Sequence, residues 1–256
     1  FNIDHLDLNQ ISTLSFICSL LGNISTIKHS AKDLSTKIRL LCGTMNYSIN
    51  TYETTNKENQ VYFKTSFSTL EENEQEALQL LVEILQESVF DQEKMIRDIL
   101  KQRIISLKQA ITMSGHSLSM KRVLAMVSSS GVIDEYSSGI AYYKWLKELD
   151  DHFDFVALKQ KLESVYQNVC FYNRLTLSFT GNDDTNLEKQ ALYLKETLKI
   201  SDALEKAIIK PFSIKKEGII IPSDIAYASK GGYLLETSKI TPLASNIISL
   251  AYLWNV

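Results

Sequence analysis

Apolar residues recur at helical spacing through most of the chain and switch to strict alternation in one stretch. Residues 9–21 carry Ile11, Leu14, Ile17, Leu20 and Leu21 on one side of a helix that stops at Gly22. Ser30 with Asp33 resembles a capping box, opening a second helix with Leu34, Ile38 and Leu41 on one face and an end near Cys42-Gly43. There the period becomes two. Met45, Tyr47, Ile49 and Thr51 alternate with Asn46, Ser48 and Asn50. After a polar turn at 55–59, Val61, Phe63, Thr65 and Phe67 alternate again. This predicts an antiparallel hairpin over 43–68, its Met45/Tyr47/Ile49 face buried beneath two long helices that follow.

Those helices are expected over 73–89, with Ala77, Leu81, Ile84 and Leu85 on a stripe, and over 92–113, with Ile96, Leu100, Ile104, Leu107 and Ile111. The Ser/Gly-rich passage 114–139 reads as connectors around a shorter helix at 118–127. Further helices are expected over 140–149 and 155–168. Leu175, Leu177 and Phe179 alternate as a strand closing at 181–184, and Thr185 with Glu188 reads as a capping box for a helix to about Ile200. Residues 201–217, with Pro211, are charged and lack a firm period, as a linker would. Residues 218–229 then read as a strand broken by Pro222, and 242–254 as a helix. The fold class is α+β, an antiparallel or mixed sheet packed with long helices. Its expected units are a domain over 1–200, a linker over 201–217, and a second α+β unit opening at 218–256.

Composition narrows the class. A globule of 256 residues buries roughly 70–75% of its unfolded surface and needs no disulfide or metal to fold. A charged fraction of 22% with net charge −3 excludes disorder, and nine glycines with three prolines favour long helices. A pI near 5.9 carries no basic footprint, so nucleic acid is not an expected partner. No apolar run is long enough to predict a membrane span. Cys18, Cys42 and Cys170 are scattered, without CxxC spacing, which suggests buried thiols in a reducing compartment. No signal peptide is evident. The chain starts without Met and stops at Val256 inside an apolar periodic stretch, so it reads as a piece of something longer.

Candidate chemistry is sparse. A helical zinc site places two histidines at i, i+4, and His5, His29, His116 and His152 offer no such pair. There is no GxSxG elbow for a serine nucleophile, and Cys18 and Cys42 fall on apolar helix stretches as inert core thiols. Neither GxxxxGK[ST] nor GxGxxG is present. Glu71-Glu72-Asn73-Glu74 sits at a helix start, where acids complement the dipole. Tyr142, Tyr143 and Trp145, beside Ile140 and Leu146, read as core aromatics. No catalytic residue and no metal ligand is assigned.

The order of motifs is more informative than any one of them. Leu20-Leu21-Gly22, Ser30 to Asp33-Leu34, Ile38, Gly43 and the hairpin resemble one half of a pitrilysin/insulinase-type zinc metallopeptidase. Gly115-His116, Gly131, Glu135, Ser138-Gly139-Ile140 and Tyr142-Tyr143 resemble the C-terminal half of its presequence-protease subfamily; Thr180-Gly181-Asn182 and Ala251-Tyr252-Leu253-Trp254 fit the same pattern. The resemblance implies two halves enclosing a chamber for unfolded peptides. Zinc and an HxxEH helix would belong to the N-terminal half of the parent polypeptide. The corresponding first helix here reads Thr13-Leu14-Ser15-Phe16-Ile17-Cys18, without a paired ligand. The chain would then be the third domain and the start of the fourth, with the family's carbonyl-holding Arg and Tyr falling beyond Val256. Alone it is expected to bind no zinc and cleave no peptide.

Its implied partners are the N-terminal half of the same polypeptide and peptide substrates, with neither nucleic acid nor membrane. The implied location is the bacterial cytoplasm or an organelle matrix. Asn46 and Ser48, facing away from the core, are the substrate-chamber candidates. An alternative is a catalytically inactive structural or binding subunit of the same fold, and HxxEH upstream of Phe1 discriminates the two. A free-standing helical module is a third reading.

Overall fold

A computed structural model describes residues 1–53, 59–181 and 185–213, with the short pairs 219–220 and 228–229. The first helix, α1 (Leu8–Leu20), is the central element. Asp7 caps it, accepting from the Gln10 amide while the Gln10 side chain accepts from the Asp7 amide. Both apolar residues (Ile11, Leu14, Phe16, Ile17, Leu20) and small polar ones (Ser12, Thr13, Ser15) are buried on it. A helix buried all round must be surrounded, and α4, α6, α8 and β1, located below, surround it. Gly22 ends it at φ +78°, a conformation that disfavours any side chain.

In α2 (Ala31–Leu41), the Ser30 hydroxyl accepts from the Asp33 amide, but the Asp33 carboxylate returns to the Ser30 hydroxyl. The expected box is thus closed side chain to side chain. Strands β1 (Cys42–Glu53) and β2 (Asn59–Thr69) pair antiparallel, with Asn46 opposite Ser66 and Tyr47 opposite Thr65. Met45, Tyr47 and Ile49 turn inward, half-buried, while Asn46 and Ser48 are exposed. The facing is as the alternation requires. The supporting helices differ from expectation: β1 rests on α1, α2 and α6, and only β2 touches one of the two long helices. The reason lies in α4 (Glu93–Met113). Its single stripe, Ile96 to Ile111, buries as expected but against α1, α5 and α7, while the all-round apolar α1 fills the space under β1.

After a 3₁₀ turn at Glu71–Asn73, α3 (Glu74–Glu87) buries more than its expected stripe, adding Leu78, Leu80, Val82 and Glu83. The Glu83 carboxylate accepts from the Thr26 hydroxyl and lies 2.7 Å from His29 Nδ1, tying the 22–30 loop to α3. Burial opposes its ionisation, yet the His29 and Thr26 hydrogen bonds outweigh that and hold its pKa below the ordinary value. The stability Glu83 contributes is therefore complete above the usual glutamate range, near 4.3, and is lost as pH falls through its lowered pKa. Acid titration of the folded fraction should show this limb. Glu83→Gln should flatten it and cost about 1–2 kcal/mol at neutral pH.

The Ser/Gly-rich passage is not a connector. It forms α5 (Gly115–Leu124) and α6 (Ser129–Ser138), because Ser128 caps α6 by accepting from the Gly131 amide at 3.0 Å. Then α7 (Ile140–Asp151) and α8 (Phe155–Tyr166) follow as expected, with Tyr142 and Leu146 fully buried. A second departure lies at Leu175, Leu177 and Phe179. Their burial alternates as in a strand, but they join no ladder among the described residues. Beyond them runs α9 (Thr185–Thr197).

Residues 201–213 run without regular structure along the same domain. The Ala207 amide donates to the Asp4 carbonyl at 2.8 Å and the Phe212 amide to Ala125 at 2.8 Å. In place of the one strand expected over 218–229 there are two, β3 (Ile219–Ile220) and β4 (Ala228–Ser229), paired antiparallel. Pro222 between them lacks the amide that a continuing ladder needs. The expected helix at 242–254, the turn at 55–58 and the Thr185 cap lie outside the described residues.

Candidate functional site

Ser48 and Asn46 separate in the structure. Both are exposed on the outer face of β1, but Ser48 also borders a cleft of about 600 Å³ that Asn46 does not reach. Consecutive residues Tyr47, Ser48 and Ile49 line it, so the cleft runs along the edge of β1 opposite β2. α1 contributes Ser15, Cys18 and Ser19, α4 contributes Ile99, Gln102, Arg103 and Ser106, and the end of α6 contributes Ser137 and Ser138. The α1–α6 wall is fixed by hydroxyls: Ser12 donates to the Tyr136 carbonyl at 2.8 Å and Ser15 to the Ser137 carbonyl at 2.5 Å.

Hydroxyls dominate the lining, and Arg103 is the charged group among the described lining residues. Arg103 Nε and the Tyr47 hydroxyl are buried without hydrogen-bond partners among the described residues. Two buried donors without acceptors call for an oxygen-bearing guest. The Arg103 guanidinium is also 6.0 Å from the ring centre of buried Tyr142. Burial pushes the Tyr47 phenol upward and the Cys18 thiol to about 12. At neutral pH both keep their protons, so Cys18 is not a nucleophile and Tyr47 acts as a donor. The cleft can hold and polarise a carbonyl or carboxylate. It has no activated nucleophile among its described residues.

Nothing in α1 fits zinc. The Thr13 hydroxyl is spent on the Asn9 carbonyl, Ser15 on Ser137, and Cys18 is held as the neutral thiol. Among the described residues, no three His, Cys, Asp or Glu side chains converge as a metal site. His5 Nε2 lies 3.0 Å from the Asn168 carbonyl and His29 binds Glu83, so both rings serve local structure.

Behind the cleft, Glu135 organises the α6–α7 corner. It is fully buried; Oε1 accepts from the Ala141 amide at 3.1 Å and lies 3.4 Å from Arg122 Nη1. A Cβ on Gly139 would come within 2.2 Å of Glu135 Oε2, so this corner requires glycine. One on Gly131 would lie 2.4 Å from the Leu124 backbone carbon. These contacts give physical content to the motif Gly131, Glu135, Ser138-Gly139-Ile140. Sequence reasoning missed Arg103, which lies on the polar flank of α4, where its spacing resembles any solvated arginine. No helix among the described residues is long and apolar enough to cross a membrane.

Comparison with known proteins gives this corner and cleft a context. The chain is similar over 263 residues to Protein HypA of Clostridium perfringens, at 24% identity, covering 100% of the chain and 27% of that protein. An uncharacterised protein of Borreliella burgdorferi is 26% identical over 240 residues, covering 89% and 24%. Presequence protease 1, chloroplastic/mitochondrial, of Arabidopsis thaliana is 23% identical over 181 residues, covering 67% of the chain and 17% of that protein. The chain thus spans about a quarter or less of the length of these curated relatives. The family profile for the region associated with peptidase M16, subfamily C, matches residues 1–149, from the first residues through most of α7. The chain therefore belongs to this peptidase M16 (subfamily C) associated family, a non-catalytic region of M16 peptidases.

Proposed function

We propose that the chain is a non-catalytic segment of the C-terminal half of a pitrilysin/insulinase-type zinc metalloendopeptidase, of the presequence-protease kind, which degrades unfolded peptides in an enclosed chamber. The observation that carries this reading is the family match over residues 1–149. The similarity to presequence protease 1 over 67% of the chain supports the subfamily. Zinc and catalysis belong to the parent's N-terminal half, which is this segment's partner. The bacterial cytoplasm or an organelle matrix is the compartment, in keeping with three unpaired cysteines.

The segment's contribution is wall. The outer face of the hairpin presents Asn46, Ser48 and, across the ladder, Lys64 and Ser66. Such a face suits the backbone of an extended peptide, which supplies donors and acceptors in every sequence. The adjoining cleft adds Arg103 and Tyr47 as donors for a peptide carbonyl or carboxylate.

The parent protein tests the reading. It should carry HxxEH upstream of Phe1, bind zinc stoichiometrically and cleave unfolded peptides; a parent without HxxEH and without bound zinc would instead be an inactive subunit. In an active parent, the double variant Asn46→Ala, Ser48→Ala should raise KM for a quenched peptide about 2- to 10-fold with kcat unchanged, as expected for one or two lost hydrogen bonds. Unchanged KM would remove these residues from the chamber wall.

A further inference from the structure

We infer that the groove of about 900 Å³ between β2 and residues 175–181 seats one more strand of the sheet, supplied by the parent polypeptide adjoining Phe1. This assignment is independent of any catalytic role. Both long walls are extended backbone, residues 63–69 on one side and 175–181 on the other. The second wall keeps a strand's alternation of half-buried and exposed residues without a ladder partner. It behaves as a strand one place removed from the sheet.

Residues 1–3 already occupy the same layer between the same walls. Phe1 and Phe63 exchange both backbone hydrogen bonds, at 2.9 Å each, and the Ile3 amide donates to Val61 at 2.8 Å. On the other side, the Asn2 amide donates to the Arg174 carbonyl at 2.8 Å. The groove continues the line of this short strand. In an antiparallel ladder the peptide groups of successive residues face opposite neighbours. Val61 and Phe63 face residues 1–3, so Thr65 and Phe67 present their amides and carbonyls to the groove. None of these groups is bonded outside the β1–β2 ladder among the described residues. At about 3.3 Å per residue, the open edge over 64–69 is roughly 20 Å long.

The floor specifies the occupant's chemistry. It is made of Leu78, Leu81, Val82 and Leu85 on α3 and Leu194 on α9. Phe1 and Ile3 bury their side chains toward the core, and strand periodicity puts the second and fourth residues before Phe1 on that face. Those two residues are apolar. The second of them lies opposite Thr65, the fourth opposite Phe67.

Three readings on the full parent protein test the assignment. Its reading frame should place apolar residues at the second and fourth positions before Phe1; charged residues there would overturn the proposal. Hydrogen exchange should protect the Thr65 and Phe67 amides as well as those of Lys64 and Ser66. Exchange on the order of 100-fold faster at Thr65 and Phe67 would mean an empty edge and overturn it. With cysteine at the second position before Phe1, Thr65→Cys should form a disulfide on mild oxidation and Lys64→Cys should not. Protection at Thr65 without that cross-link would mean another segment fills the groove, and the assignment would fall.

Discussion

Replacing Glu135 by alanine is expected to destabilise the domain by about 3 kcal/mol, the low end for breaking a buried charged pair. The low end applies because Arg122 is 31% exposed and regains water when its partner is lost. The larger loss is at the helix. The Ala141 amide, in the first turn of α7, would have no acceptor in a closed corner, and the Glu135 charge would no longer oppose the helix dipole. Burial pushes the Glu135 carboxyl above its ordinary value, with Arg122 and the Ala141 amide pulling the other way. An acid whose folded pKa is raised binds its proton more readily when folded. Stability from this group therefore falls as pH rises from the ordinary glutamate range, near 4.3, up to the raised value, and is level above it. Glu135→Gln keeps an oxygen for Ala141 and has no charge to bury. It should cost less than Glu135→Ala and abolish that pH dependence, read as denaturation midpoints across pH 4–8. Equal losses for the two variants would show that the corner depends on the charge, not on the acceptor.

Helices that bury one stripe were legible in the sequence. In α4 all five stripe residues, Ile96 to Ile111, are the buried ones, because its other faces meet water. The hairpin's facing was legible for the same reason: Tyr47 turns inward and Asn46 outward, since a one-residue slip would reverse both. What these elements pack against was not legible. An apolar stripe specifies that it is covered, not by what, and the place under β1 goes to α1, whose burial on all sides leaves little periodic signal.

The misread passage 114–139 shows a different limit. Serine and glycine suggest connectors by composition, yet Ser128 is a cap and Gly131 a point of helix–helix contact. Their roles depend on position relative to a helix start. At Leu175 to Phe179 the alternation was read correctly as a strand's, but a strand also needs a neighbour, which no local pattern supplies. As for the cleft, only Ser48 could be nominated beforehand. Arg103 and Tyr47 come together from α4 and β1 through the packing of α1 between them, a long-range fact with no trace in local spacing.

Gly131→Ala carries the other large expected effect, about 3 kcal/mol, the upper part of the usual range for overpacking. The added Cβ would meet the Leu124 carbon at 2.4 Å, its oxygen at 2.5 Å and the Ala125 nitrogen at 2.6 Å. These are backbone atoms of the α5 end, and rotamer changes cannot relieve the contact. The α5–α6 turn must open. Opening it would draw Ser128 from the Gly131 amide and shift the far end of α6, where Ser137 and Ser138 border the cleft. Gly139→Ala meets a different obstacle, the Glu135 carboxylate at 2.2 Å, with the Glu135 Cα at 2.8 Å behind it. Because the nearer atom there belongs to a side chain, the double variant Gly139→Ala, Glu135→Ala should lose less than the sum of its parts. Gly131→Ala, with Glu135→Ala, should instead lose close to the sum, since its clash does not involve the carboxylate. A double-mutant cycle in urea separates the two glycines. Additive losses at Gly139 would show that its constraint comes from backbone and not from the buried carboxylate folded over it.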